Sequence, residues 1–274
     1  MFVANVMHAD NQLEEIAYLR LSEGFWQVWV TDTKGSHHRQ ITFDAVDKTR
    51  ISWSPDKLQL LVNTNAGNLV VVGVKSLMKR DIKLDSLEVF DAQWSTDGQY
   101  IAYTSTTSLQ ADNAEVWVAR IDGSEKRKVT SNTAVTLSPT WNPKRGSIVF
   151  SAGLPGKNQE LWEVFPDTGK SEQLTVAKTS SMDPSVNHEG KILYSSDQAG
   201  SYAIWLLDEE MHKRKVTMPS GYDAQPSWSR DGKSFAFFRI SGKKKQVWVY
   251  DFASATEIPI TPENVLSRTP SWAK

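Results

Sequence analysis

Short apolar runs bounded by polar turn residues recur along the whole chain. One kind of run reads Ile-Ala-Tyr or a close variant, at 16–18, 101–103, 148–150, 192–194 and 235–237. These runs are short, and β-branched and aromatic residues dominate them, which favours strands over helices. Each of the last four follows a turn such as Ser-Thr-Asp-Gly at 95–98, whose residues suit a tight antiparallel connection.

Tryptophan marks two further positions of the same pattern. A first series consists of Trp53, Trp94, Trp141, Trp228 and Trp272, with Val186 in the equivalent slot, and every member except Trp94 follows a hydroxyl residue. A second lies within apolar runs, at Trp29, Trp117, Trp162, Trp205 and Trp248. An apolar-Thr pair closes five of the six units, at 41–42, 129–130, 174–175, 216–217 and 260–261, and Lys83-Leu84 takes its place in the second unit. The unit recurs about every 44 residues, and it contains four short strands, as a β-propeller blade does.

These markers predict an all-β fold, a six-bladed β-propeller of four-stranded antiparallel blades. The chain enters its first unit at the second strand, near Ile16, and reaches the first strand of another unit at 269–272. We therefore expect the C-terminal strand to pair with the N-terminal blade and close the ring, which removes exposed sheet edges. Residues 1–14 are predicted to be an N-terminal extension and 15–274 a single propeller domain. A β-sandwich is the alternative, but four markers recurring in one order argue against it.

Charge and composition exclude several classes of partner. The 31 basic and 32 acidic residues give a formal net charge of -1, so we expect no binding to nucleic acid. The basic clusters at 79–80, 126–128 and 213–215 enter the predicted outer strands, where lysine protects an edge from pairing. No apolar stretch is long enough to span a bilayer, and residues 1–5 do not resemble a signal peptide, so we expect no direct membrane insertion by this chain.

Catalytic and metal-binding patterns are scarce. There is no Gly-x-Ser-x-Gly, His-Glu-x-x-His or phosphate-loop sequence, and no cysteine. The five histidines fall on different parts of different units, whereas a metal site needs converging ligands. We therefore predict no catalytic residue, no metal and no cofactor. Tryptophans that recur once per unit are interpreted as packing residues between neighbouring blades.

Specificity is expected where the repeat varies. Six polar residues, here called the ring positions, lie three residues before the anchors of the first tryptophan series: Arg50, Asp91, Ser138, Asp183, Gln225 and Thr269. They differ from unit to unit and should surround the mouth of the channel, where they either bind a ligand or merely solvate a funnel. With neighbouring residues added, the candidate ligand-binding set is Arg50, Asp91, Asp183, Tyr222, Asp223 and Arg268.

The unit resembles the repeat of TolB-type propellers, through its Ser/Thr-Trp, Ser-Pro-Asp-Gly, Ile-Ala-Tyr, Val-Trp-Val and apolar-Thr elements. The resemblance implies a six-bladed propeller and a periplasmic, non-catalytic protein that holds a protein or peptide segment at the channel mouth. It departs from TolB itself in having only fourteen residues before the predicted propeller domain, too few for the N-terminal α/β domain of TolB.

Similar propellers imply other functions. Those of CadC-type membrane-bound regulators imply an extracytoplasmic sensor domain. Those of prolyl-oligopeptidase-like peptidases imply a gate in front of a hydrolase domain, a reading that would need such a domain after Lys274. The oligogalacturonate lyase propeller implies a lyase, and a funnel-based lyase or hydrolase would use carboxylates together with His188. We favour a binding module and keep the sensor domain and the enzyme as alternatives.

Overall fold

Strands account for the regular structure of the chain. The computed structural model describes residues 15–84, 88–106, 114–131, 134–154, 156–218 and 221–273. Twenty-four strands, β1 to β24, lie within these residues, and neighbouring strands of each sheet pair antiparallel except β10 and β12. Within the same ranges, no helix is long and apolar enough to cross a membrane. The predicted all-β class is confirmed.

Four sheets contain four strands each and form four separate blades. The first has the order β24 (Ser267–Trp272), β1 (Glu15–Ser22), β2 (Phe25–Asp32) and β3 (His38–Gln40). The second contains β4 (Lys48–Trp53), β5 (Gln59–Thr64), β6 (Leu69–Gly73) and β7 (Lys79–Ile82). The other two contain β16 (Ser181–Val186), β17 (Ile192–Ser196), β18 (Ala203–Leu207) and β19 (Lys213–Lys215), and β20 (Tyr222–Trp228), β21 (Ser234–Ser241), β22 (Lys244–Asp251) and β23 (Thr256–Pro259).

The remaining eight strands belong to one sheet, which corrects the expectation of six separate four-stranded blades. They are β8 (Val89–Trp94), β9 (Tyr100–Thr106), β10 (Ala114–Arg120), β11 (Arg127–Lys128), β12 (Val135–Asn142), β13 (Ser147–Gly153), β14 (Glu160–Val164) and β15 (Ser171–Gln173). A single parallel bridge between Ala114 and Val135 joins β10 to β12. This bridge joins the strands of two repeats into one sheet. The other repeats form the four separate blades.

The first strand of each repeat lies around the central channel. Strands β4, β8, β12, β16, β20 and β24 contact one another in that cyclic order, and β24 contacts β4. Strand β24 pairs with β1, where Trp272 lies opposite Ile16. The indole Nε1 of Trp53 donates to the carbonyl oxygen of Ser271 at 2.9 Å, which ties β4 to β24. The expected pairing of the C-terminal strand with the N-terminal blade is therefore present.

Apolar side chains fill the spaces between neighbouring blades. The aromatic residues of the second strands are fully buried, at Tyr18, Tyr103, Phe150, Tyr194 and Phe237. The second tryptophan series is partly buried and packs against the same clusters, at Trp29, Trp117, Trp162, Trp205 and Trp248. Their recurrence follows from this packing role, as the sequence predicts.

The recurring threonines have a structural role too. Each hydroxyl accepts the backbone N–H of the residue immediately before the third-strand tryptophan of its repeat, as Thr261 does from Val247 at 2.9 Å. The other pairs are Thr42 with Val28, Thr130 with Val116, Thr175 with Leu161 and Thr217 with Ile204. All five hydroxyls are buried, so each satisfies a backbone donor that water cannot reach.

Candidate ligand-binding cavity in the channel

A β-bulge shapes the inner strand at five of the six ring positions. These residues have left-handed backbone angles, with φ of 51° at Asp91, 52° at Ser138, 53° at Asp183, 54° at Gln225 and 52° at Thr269. In each case the pairing with the neighbouring strand shifts, so that two inner-strand residues lie opposite one. Bulges redirect side chains, and here they do so at the same level of every strand concerned.

Proline follows the bulged residue in four of these five strands, at Pro139, Pro184, Pro226 and Pro270. Proline lacks a backbone N–H and is confined within sheets to edges and bulges. A proline inside a predicted inner strand is therefore the sequence signal that could have located the bulges before the structure was known.

Arg50 departs from the pattern and crosses the channel. Its strand shifts register earlier, between Lys48 and Arg50. The Arg50 Nε lies 3.6 Å from Asp91 Oδ1, and its Nη2 lies 3.8 Å from Asp183 Oδ1. Strands β4 and β16 are opposite in the cyclic order of inner strands, so the pair of Arg50 and Asp183 spans the channel.

Ser138 connects the two carboxylates. Its backbone N–H donates to Asp91 Oδ2 at 3.0 Å, and its hydroxyl lies 3.3 Å from that oxygen and 3.3 Å from Asp183 Oδ1. The Ser195 hydroxyl lies 3.4 Å from Asp183 Oδ2. We call Arg50, Asp91, Ser138 and Asp183 the channel floor. Three of the six predicted ligand-binding residues thus meet at one point.

The environment of the channel floor disfavours a further negative charge. Burial raises the pKa of Asp183; the guanidinium of Arg50 opposes this shift, and the charge of Asp91 adds to it. Burial also raises the pKa of Tyr222 to about 12, with a contribution from Asp183. The ring of Tyr222 lies 4.9 Å from that of Tyr202. Tyr222 is near enough to Asp183 for the two groups to interact, and its phenol stays protonated at neutral pH.

A cavity of about 730 Å³ lies against the channel floor. Arg50, Asp183 and Gln225 line its inner end, and the ends of the inner strands with the turns that follow form its walls. His188, Arg230 and Asp231 are among the residues of these turns. The cavity lies within the size range of small-ligand and cofactor sites, about 300 to 1,000 Å³.

Tryptophans of the first series line this cavity as well as packing between blades. Trp53, Trp94, Trp141 and Trp272 all contribute to its wall. Trp94 and Trp141 are partly exposed, whereas Trp53 and Trp272 are buried. The sequence interpretation assigned the whole series to packing, which misses this second contact, because periodicity does not show which edge of a ring faces a cavity.

Of the six predicted ligand-binding residues, only Arg50 and Asp183 line the cavity; Asp91 and Tyr222 interact with Asp183 or its partners without lining it, and two others have separate partners. Both carboxylate oxygens of Asp223 accept from Arg239, at 2.6 and 2.7 Å, and Arg239 also donates to Glu257 at 2.5 Å. Asp223 is fully buried in this ion pair and does not line the cavity. Arg268 lies with its guanidinium 4.1 Å from the ring centre of Trp26, and burial lowers its pKa. It does not line the cavity either.

His8 lies outside the described residues, and the other four histidines stay apart in the structure. His37 contacts Asp32 at 2.9 Å, and His38 contacts the Tyr18 hydroxyl at 2.9 Å, so the adjacent pair serves separate partners. His188 lies at the cavity. Within the described ranges, the group of three potential metal ligands is Asp208, Glu210 and His212, on the connection between β18 and β19 rather than in the channel.

Comparison with known proteins places the repeat in a family. Residues 81–274, more than half of the chain, match the TolB beta propeller domain. The chain belongs to the TolB propeller family. Among curated relatives, the Tol-Pal system protein TolB of Anaeromyxobacter dehalogenans is 27% identical over 128 residues, which are 46% of this chain and 29% of that protein.

Other relatives of this TolB-family propeller show a similar partial overlap. The Protein TolB homolog of Chlorobium chlorochromatii is 25% identical over 154 residues, 56% of this chain and 34% of the relative. The uncharacterized peptidase YuxL of Bacillus subtilis is 26% identical over 147 residues, 54% of this chain and 21% of the relative. The matches thus cover about a third or less of each of these relatives.

Solved structures share the fold at low sequence identity. TolB from Acinetobacter baumannii superposes with a TM-score of 0.82 at 16% identity, over 95% of this chain and 66% of that one. An oligogalacturonate lyase in complex with manganese gives a TM-score of 0.62 at 14% identity, over 91% of this chain and 74% of that one. At such identities these likenesses show the propeller fold alone.

Proposed function

We propose that this TolB-family propeller is a non-catalytic binding module that holds a protein or peptide segment in the channel cavity. The observation that supports it is a cavity of about 730 Å³ that ends on a polar floor and has tryptophan and proline in its walls. Such a surface offers both apolar contact area and a few fixed polar groups, as ligand sites do. Several relatives are named as proteins of the Tol-Pal system, which favours a protein partner.

The architecture we infer for this module is a ring of six blades. Six inner strands surround the channel, and the eight-stranded sheet contains two of them, β8 and β12. Counting its halves as two blades, joined by the Ala114 and Val135 bridge, gives the six. The TolB relatives likewise support a periplasmic location as part of this proposal.

A cavity-filling variant tests the binding proposal. Gln93 lines the cavity and is not a bulged residue, so Gln93→Trp is expected to occupy the cavity while leaving the inner strand paired. The purified protein is screened against a displayed peptide library, and captured sequences are measured by calorimetry. We expect Gln93→Trp to abolish binding and Gln173→Trp, on the exposed outer strand β15, to retain it. Capture of no peptide, or equal binding by Gln93→Trp, would refute the proposal.

A further inference from the structure

The channel floor crosses the inner end of the cavity. Arg50 reaches from β4 to Asp183 on the opposite inner strand, and the Ser138 hydroxyl lies between the two carboxylates. Arg50 and Asp183 also line the cavity. A chain end or a long side chain that enters from the turns and extends to this level therefore meets Asp183.

The contacts of Asp183 leave its carboxylate poorly satisfied. They measure 3.3 Å to Ser138, 3.4 Å to Ser195 and 3.8 Å to Arg50. Charge-assisted hydrogen bonds to a carboxylate are usually about 2.7 to 2.9 Å long. Asp183 therefore retains the capacity to accept a strong donor from the cavity.

Arg50 does not supply that donor. Its two ion pairs, at 3.6 and 3.8 Å, exceed hydrogen-bond length, and it is shared between Asp91 and Asp183. Two carboxylates thus face one guanidinium, which leaves a surplus negative charge at a site where burial makes charge costly. A cation bound in the cavity would neutralise it.

The cavity wall is compatible with a cation as well. Four indole rings line it, those of Trp53, Trp94, Trp141 and Trp272. Indole rings attract ammonium groups through the quadrupole of their faces, so tryptophan in the wall is compatible with a chain that carries such a group.

We infer that the inner end of the cavity receives a primary ammonium group, which pairs with Asp183. The group is carried either by the free amino end of a peptide or by a lysine side chain. This inference rests on the proposed binding function and narrows it from any peptide segment to one that presents an ammonium group. The bond formed is a salt bridge, with the ammonium as donor and Asp183 as acceptor.

Three pools of synthetic hexapeptides test the inference on the wild-type protein. The pools share one random composition that lacks lysine, except for a single lysine added to the third. The first pool has free amino ends, the second is acetylated, and the third is acetylated and carries the added lysine. Peptides captured by the immobilised protein are identified by mass spectrometry and titrated by calorimetry. We expect the acetylated lysine-free pool to bind at least about tenfold more weakly than a pool that carries the ammonium, the loss typical of a charged hydrogen bond.

The outcomes separate the two proposals. Preference for free amino ends identifies a chain end as the source of the ammonium, and preference for the lysine pool identifies a side chain. Equal binding of all three pools overturns the ammonium inference and leaves the binding module intact. Capture from none of the pools overturns both.

A matched pair of variants locates the effect. Asp183→Asn keeps the shape of the side chain and removes its charge, so it should abolish the preference for ammonium. Asp122→Asn makes the same change on an exposed turn between β10 and β11 and should preserve it. Melting curves of both variants verify folding. A folded Asp183→Asn protein that still prefers ammonium-bearing peptides would overturn the assignment to Asp183.

Discussion

Arg50 and Asp183 face each other across the channel, with Nη2 of the arginine 3.8 Å from Oδ1 of the aspartate. The distance is too long for a hydrogen bond, and both side chains are largely buried. Burying two charged groups costs desolvation free energy, and their mutual attraction offsets only part of that cost unless the two groups are in hydrogen-bonding contact. The channel floor therefore lowers the free energy of unfolding of the unliganded protein, and a bound cation would raise it again.

Asp183 should for this reason lower the stability of the unliganded protein at neutral pH. Burial raises the pKa of Asp183 in the folded state above the ordinary value of 3.8. The folded state then binds the proton more tightly than the unfolded state, so this contribution is favourable below the unfolded pKa and is lost as pH rises through the folded pKa. Asparagine cannot ionise, and we expect Asp183→Asn to melt at a higher temperature than wild type at neutral pH.

Melting temperatures measured from mildly acidic to neutral pH check this expectation. The advantage of Asp183→Asn should shrink as the pH falls, because the wild-type carboxyl becomes protonated. Asp122→Asn, at an exposed turn, should show no such gain. A lower melting temperature for Asp183→Asn at neutral pH would mean that the carboxylate stabilises the floor.

Asp223 should matter for folding but not for binding. Its carboxylate is fully buried and receives two donors from Arg239, so Asp223→Asn leaves a buried guanidinium with a weaker partner. Removing one member of a buried pair typically costs about 3 to 5 kcal/mol. Urea unfolding should show a loss of that order, while the peptide affinity of the folded variant stays at the wild-type value. A loss of peptide affinity without a loss of stability would instead indicate that Asp223 belongs to the binding site.

The difference between Asp183 and Asp223 shows what the sequence can and cannot predict. The repeat places Asp183 at a ring position. Equivalent positions of the repeats lie together around the channel, whatever side chains they carry. Asp223 lies two residues before the bulge at Gln225, opposite Arg239 in the strand pairing. Its partner is known only once the register of β20 and β21 is known, and nothing in the local sequence specifies that register.

The bridge between Ala114 and Val135 is unpredictable for a related reason. Repeats are visible because Tyr18 and its equivalents fill the same packing site in each blade. A single backbone bridge between two repeats needs no particular side chain and therefore leaves no pattern. Packing roles were predictable from the sequence, whereas individual backbone contacts and the second contact of the tryptophans with the cavity were not.

Thr261 offers a test of the repeated threonine contact. Its hydroxyl accepts the backbone N–H of Val247, and both residues are buried. Thr261→Val keeps the volume and removes the acceptor, which leaves a buried donor unsatisfied at a cost of about 1 to 3 kcal/mol. Urea unfolding measures this loss. Thr256→Val, at an exposed position of β23, should change stability by less than about 0.5 kcal/mol, and equal effects of the two would deny the acceptor role.

Trp272 tests the contribution of β24 to the ring. Its side chain is 3% exposed, it lies opposite Ile16 of β1, and its backbone N–H donates to the Ser227 hydroxyl at 2.9 Å. Trp272→Ala removes the side chain and keeps the backbone contacts, so we expect a loss of about 3 to 5 kcal/mol in the free energy of unfolding. Met218→Ala, at a side chain that is 74% exposed, is the control and should be nearly neutral.

Deleting residues 269–274 extends the same test from the side chain to the strand. The deletion also removes the β1 pairing of Ser271 and the carbonyl that accepts from Trp53. Both inner strands beside β24 then lose a neighbour, and β1 becomes an exposed edge. We therefore expect the deletion to lower the melting temperature further than Trp272→Ala does. If the two changes have equal effects, the indole alone holds β24 to the ring and the strand pairing contributes nothing measurable.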